Sequence, residues 1–111
     1  MKNLFFPLCL TVFILLGNTK PTMGSETITL AYDSNVRPTP CSTTSLGKIK
    51  EGTLLEVSKK ALVWSGAIRT QWFEVSGFGQ KGWVSDQNTT KPIKPVFDKS
   101  GLGKKCRYEV K

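Results

Sequence analysis

Trp72-Phe73-Glu74-Val75-Ser76-Gly77-Phe78-Gly79-Gln80-Lys81-Gly82-Trp83-Val84-Ser85 is the stretch on which the fold of this chain turns. Two runs rich in aromatic and β-branched residues, Gln71 to Ser76 and Lys81 to Ser85, flank Gly77-Phe78-Gly79-Gln80, the composition of a β-hairpin. Residues 77 to 82 also spell Gly-x-Gly-x-x-Gly. A phosphate-binding loop of that spelling must follow a strand and open a helix, whereas strands are expected here on both sides, so the glycines are read as turn residues.

Working outward, the region beyond residue 25 shows no sustained apolar spacing at i, i+3, i+4 and is punctuated by Gly, Pro and Ser, which makes the fold class all-β. Thr27 to Tyr32 is expected as a first strand. Asp33 to Ser45 is expected as a long ordered loop, because Pro38 and Pro40 remove ladder donors. Leu46 to Ile49 and Leu54 to Ser58 are expected to form a hairpin across Lys50-Glu51-Gly52-Thr53, and Lys59 to Thr70 to be a variable loop. Five strands in this span predict a small barrel over residues 25–90. Beyond Asn88, Thr-Thr-Lys-Pro-Ile-Lys-Pro is expected as an extended linker, and residues 91–111 as a basic, Pro-containing C-terminal extension.

At the other end, Lys2 precedes an apolar run from Leu4 to Leu16 that is too short to span a bilayer and is ended by Gly17 to Pro21. Residues 1–24 therefore read as a secretory signal, with Thr22 and Gly24 as the small residues before cleavage and Ser25 as the mature start. The alternative is an uncleaved N-terminal anchor. The remainder has the size of one domain with a small core and, after signal removal, no transmembrane span. Losing Cys9 leaves Cys41 and Cys106, whose pairing is the default expectation in a secreted or periplasmic protein; two free thiols are the other possibility.

The formal net charge is +8. It is concentrated at the C-terminus, where Lys91, Lys94, Lys99, Lys104, Lys105, Arg107 and Lys111 face only Asp98 and Glu109. That balance suits an anionic envelope polymer; nucleic acid is the weaker candidate, since no groove-reading helix is expected. The chain has no histidine, which removes His-based triads and His-ligated metal sites, and two cysteines cannot make a four-sulfur zinc site. No catalytic residue, metal or cofactor is expected. Asn88-Thr89-Thr90 is a glycosylation sequon, relevant only in a eukaryotic secretory route.

Asn35-Val36-Arg37 with Pro40, Leu46-Gly47-Lys48-Ile49-Lys50-Glu51-Gly52-Thr53, Trp72-Phe73-Glu74-Val75 and Gly82-Trp83-Val84-Ser85 resemble, in order and spacing, a bacterial SH3 (SH3b) domain over residues 26 to 88. The resemblance implies a five-stranded SH3-like barrel and cell-wall peptides as ligand class. Val36, Leu46, Ile49, Leu55, Val57, Val75 and Val84 would share its inward face, with Gly52 at a turn and Gly82 at a close backbone approach. The chain departs from the family at Ser34, where a Leu is usual, and at Asn88 and Thr89, where an aromatic-aliphatic pair is usual.

Strand alternation, with Val75 and Val84 inward, sends Trp72, Glu74 and Trp83 to the opposite face. Trp72 and Trp83, bordered by Tyr32, Asp33 and, as lid or contact, Trp64, make up the candidate ligand surface, with Asp33 and Glu74 to pair with ligand amines; the alternative is that Trp72 packs against the Asp33–Ser45 loop, which Trp83 could also cover. The expected function is an exported, non-catalytic module for cell-wall peptides. The alternatives are an interaction or inhibitory module for an exported partner, and an envelope structural protein held by its basic end.

Overall fold

A computed structural model describes residues 26–111. The signal segment, the cleavage site, Cys9 and the possible anchor lie outside the described residues. Strands β1 (Glu26–Thr29), β2 (Ser34–Val36), β3 (Gly47–Ile49), β4 (Leu54–Val57), β5 (Lys59–Ser65), β6 (Ile68–Gly77), β7 (Gln80–Ser85), β8 (Val96–Phe97) and β9 (Arg107–Val110) make the described chain all-β, with short 3-10 turns at Asp86–Asn88 and Lys99–Gly101. Among the described residues no helix is long and apolar enough to cross a membrane.

The main sheet runs β9-β5-β6-β7, every neighbour antiparallel, and β8 adds to the start of β6. At its heart is the stretch from Trp72 to Ser85: β6 and β7 pair from Trp72–Ser85 to Gly77–Gln80. Phe78 (φ 55°) and Gly79 (φ 78°) close the hairpin with positive φ at both central positions, the backbone that matches strand twist. The Gly-x-Gly-x-x-Gly string is thus a hairpin turn and the start of its second strand.

Two smaller pairs, β1-β4 and β2-β3, wrap against this sheet. They are joined to it by the bridge Arg37–Trp83 and by the Ser58 N–H, which donates to the Glu74 carbonyl at 2.9 Å, while Leu30 bridges Thr89, just beyond the 3-10 turn after β7. The expected hairpin between residues 46 and 58 is not formed. The turn is present, with Gly52 at φ 85°, but the Leu30 N–H donates to Thr53 O and the Gly52 N–H to Leu30 O. The end of β1 takes the turn's hydrogen bonds, and β3 and β4 splay to different partners.

Inside the wrap, Ile28, Val36, Phe73, Val75 and Val84 form a buried cluster, with Leu46, Ile49, Leu55 and Val57 packed on it. Gly82 lets this core close: a Cβ there would strike Val36 Cγ1 and lie 3.2 Å from both the Arg37 carbonyl and Leu46 Cδ1. We expect Gly82→Ala to cost about 1–3 kcal/mol, read as a lower denaturation midpoint at unchanged m-value.

The expected variable loop from Lys59 to Thr70 is instead β5, a two-residue turn at Gly66 (φ 61°) and Ala67, and the first turn-proximal third of β6. Ala61-Leu62-Val63-Trp64 forms a strand because it is covered on both faces, and such strands read as continuous apolar runs without alternation. The C-terminal segment also differs from the expected irregular extension. β8 pairs Ile68–Phe97 and Arg69–Val96, and β9 pairs Arg107–Trp64 through Val110–Ala61. Cys41 and Cys106 are joined by a disulfide with their Cα atoms 5.7 Å apart.

Candidate functional site

The register of the main sheet decides where each tryptophan goes. Ala61 is opposite Trp72, and Glu74 is opposite Trp83, so all four share one face. On that face Ala61, Val63 and Trp83 form a second buried cluster, with Trp72 and Cys41 packed against it. The Pro-bearing loop covers the face: Pro40 is buried, and Cys41 is held there by its bond to Cys106. Trp83 is only 6% exposed and part of this buried cluster, as in the alternative in which it covers the loop. Trp72 does join Trp83, yet half-buried under the loop rather than on an open patch.

Trp64 lies on the opposite face and is 5% exposed. Its indole Nε1–H donates to Asp98 Oδ2 at 2.7 Å, Arg69 reaches the same oxygen at 3.3 Å, and the Arg107 guanidinium stacks 3.8 Å from the ring centroid. Gly101 packs so tightly here that a Cβ would strike the Gly66 carbonyl. The C-terminal segment is thus clasped to the hairpin tip on one face and to the loop on the other. Arg107 is consumed by this clasp, while Lys91, Lys94, Lys99, Lys104 and Lys105 are exposed.

The Trp64 hydrogen bond, with those from Ser100 and the charge of Arg69, lowers the Asp98 carboxyl from 3.8 to about 2. A folded-state value below the unfolded one contributes stability that is present above pH 3.8 and is lost as pH falls through about 2. We expect the near-UV circular dichroism of the tryptophans to change over that acid window in the wild type, and Asp98→Asn to lose the transition while already showing a loosened signal at neutral pH.

Of the remaining candidates, Tyr32 is 64% exposed beside Asp33, whose Oδ1 accepts the Glu51 N–H at 2.9 Å. Glu74 accepts the Ser58 hydroxyl at 3.0 Å. Both carboxylates are engaged within the fold, and they sit apart: Asp33 at the β1–β2 corner, Glu74 in mid-sheet.

The departures from the SH3b pattern meet in space. Ser34 is 1% exposed, and the Asn88 amide donates to its hydroxyl at 2.9 Å. Thr89, also buried, donates its hydroxyl to Asp86 O at 2.7 Å. Buried Asp86 in turn accepts from the Ile93 N–H and the Gln87 amide. Positions that are apolar in the family pattern here form a satisfied polar network, each buried group paired.

Beside this network lies a cleft of about 320 Å³ that sequence reasoning missed. Ile28 and Phe73 form its apolar base, and Glu26, Lys60, Thr90 and Lys91 are among its polar walls. Lys60 and Glu26 pair at 2.6 Å, while Lys91 makes no ion pair among the described residues. No sequence signal marks it, because its walls come from β1, β5, β6 and residues 86–93, brought together only by the register. Among the described residues, no three acidic, Cys or His side chains cluster to hold a metal.

No protein-family model matches this chain, and neither a curated protein nor a solved structure is found to match it. The resemblance to the SH3b pattern therefore rests on the residue motifs alone.

Proposed function

We propose that the chain is an exported, non-catalytic binding module of the SH3b kind, whose small barrel recognises cell-wall peptides. The observation that carries this reading is the Gly82–Val36 contact: the motif glycine and the motif valine meet at the core, with Val75 and Val84 beside them, in the roles the SH3b pattern assigns. The disulfide is consistent with an oxidising location outside the cytoplasm. The ligand surface differs from the expected aromatic face, which is covered. The cleft between β1 and residues 86–93 offers what a short peptide with free amine and carboxylate needs: an apolar base and side chains of both signs at the rim.

The test is retention on purified sacculi. Wild type and Trp83→Phe are expected to be retained, and Lys91→Glu with Phe73→Leu to be retained several-fold less at equal folded fraction. Absence of wild-type retention sinks the ligand class; equal retention of all variants moves the site away from the cleft.

A second reading, an interaction or inhibitory module for an exported protein, is favoured by apolar side chains at the hairpin tip. Ile68 and Phe97, cross-strand neighbours, are 44% and 66% exposed, and Leu102 is 58% exposed. Co-purification with one exported partner, weakened by Phe97→Ser, is its expected signature.

A further inference from the structure

Among the described residues β9 ends the main sheet, and its hydrogen-bond phase says which of its backbone groups have no partner there. The Lys111 N–H donates to Lys60 O, its register partner, so residues 111, 109 and 107 turn their N–H and C=O groups toward β5. By alternation Tyr108 and Val110 turn theirs outward, away from the sheet. Their side chains stay partly exposed, at 38% and 48%, on the face shared with Val63 and Ala61. A strand of this kind is a template for another strand.

Three features distinguish this edge from a frayed terminus. The disulfide at Cys106 immediately precedes it, Arg107 is stacked on Trp64, and Lys111 is bonded to Lys60. The edge is therefore held in strand form before anything binds, and little ordering entropy remains to be lost on docking. It is also bounded by cations. Lys104 and Lys105 stand before it, and at its far end Lys59 and Lys111 border a hollow of about 270 Å³ whose other charges, Lys60 and Glu26, are paired together. The single edge acid, Glu109, is held by Arg107 at 3.2 Å. Lysines at an edge repel a second copy of a chain carrying +8 and leave neutral strands without charge pairing, but they attract an acidic one.

We infer that the outer edge of β9 is a docking strand for an extended acidic segment of a partner protein. The segment pairs with the outward backbone groups of Tyr108 and Val110 and sets its carboxylates against Lys104, Lys105 and Lys111. This rests on the interaction-module reading only in taking the partner to be a protein, and it is independent of the cell-wall cleft.

The probe is an acetylated and amidated peptide of alternating Val and Glu, about eight residues long, enough for a strand of ordinary length. Wild type, with its disulfide intact, is expected to bind it, more weakly as salt rises. The same peptide N-methylated at every residue, which removes its donors but keeps its charge, is expected to bind about tenfold more weakly. Val110→Pro deletes an outward N–H and no inward one; it is expected to bind about fivefold more weakly than wild type with unchanged near-UV circular dichroism.

Absence of wild-type binding, equal binding of the two peptides, or wild-type binding by Val110→Pro each overturns the docking strand. Self-association of the wild type that Val110→Pro abolishes makes a second copy the occupant and overturns the acidic-partner assignment. An exported partner that co-purifies equally with wild type and Val110→Pro sinks the edge while leaving the interaction-module reading standing.

Discussion

Replacing Cys106 by serine is expected to lower the unfolding free energy by about 4 kcal/mol, on the chain-entropy account of a bridge closing a loop of this length. Two consequences of the fold make the effect visible beyond a shifted midpoint. The bond holds the end of β9 to the loop that covers the second apolar cluster, so its loss frees Cys41 from the surface over Trp72, Ala61, Val63 and Trp83. It also lengthens the unfastened part of the C-terminal segment back to the Asp98 clasp. Urea denaturation followed by tryptophan emission should show both an earlier transition and a red-shifted native baseline. Cys41→Ser should match Cys106→Ser, and the double variant should add little to either, since all three remove the same constraint. An unshifted midpoint in Cys106→Ser would show that strand pairing alone holds β9 in place.

Trp83→Ala is expected to cost about 3–5 kcal/mol, the range for deleting a large buried aromatic. Trp83 sits beneath the loop with Ala61 and Val63, while its backbone N–H donates to Arg37 O at 2.7 Å and its carbonyl accepts the Arg37 N–H at 2.9 Å. Removing the indole leaves a cavity where the loop meets the sheet, at the point that also ties β2 to β7. Trp83→Phe, which keeps most of the apolar volume, should recover much of the loss. A ligand-contact role predicts the reverse: near-native stability for Trp83→Ala with lost binding. The midpoint from chemical denaturation separates the two, and a cost under 1 kcal/mol would place Trp83 at the surface after all.

The contrast between these two sites explains what the amino-acid order made legible. The inward face was readable because Val36, Val75 and Val84 are fully buried on one side of short strands, and their alternation survives in the sequence. The cystine was readable from the parity of the cysteines beyond residue 25. The second cluster was not, because alternation marks a residue as being on the other face without saying whether that face meets water. Cys41, which packs on it, lies in a loop whose prolines announce only the absence of a central strand. Ala61-Leu62-Val63-Trp64 was misplaced in a loop for a related reason: a strand covered on both faces has no alternation to display. The polar pair Ser34 and Asn88 were visible singly as departures from a pattern, but their hydrogen bond joins residues far apart in sequence. The cleft could not be seen at all, since it is made of register.

The antiparallel union of β9 with β5 also has a temporal meaning. A chain emerging from its N-terminus can form the β5–β6 and β6–β7 hairpins by local closure, on the timescale of single hairpins. Residues 96–110 come last and find their partners over long sequence separations, which is the slow kind of contact. Until they arrive, the sheet has a bare lateral edge at β5 and a tryptophan-bearing surface without its fastened cover. Formation of the cystine then fastens the cover that strand pairing has brought into place, a step slower in kind than hairpin closure.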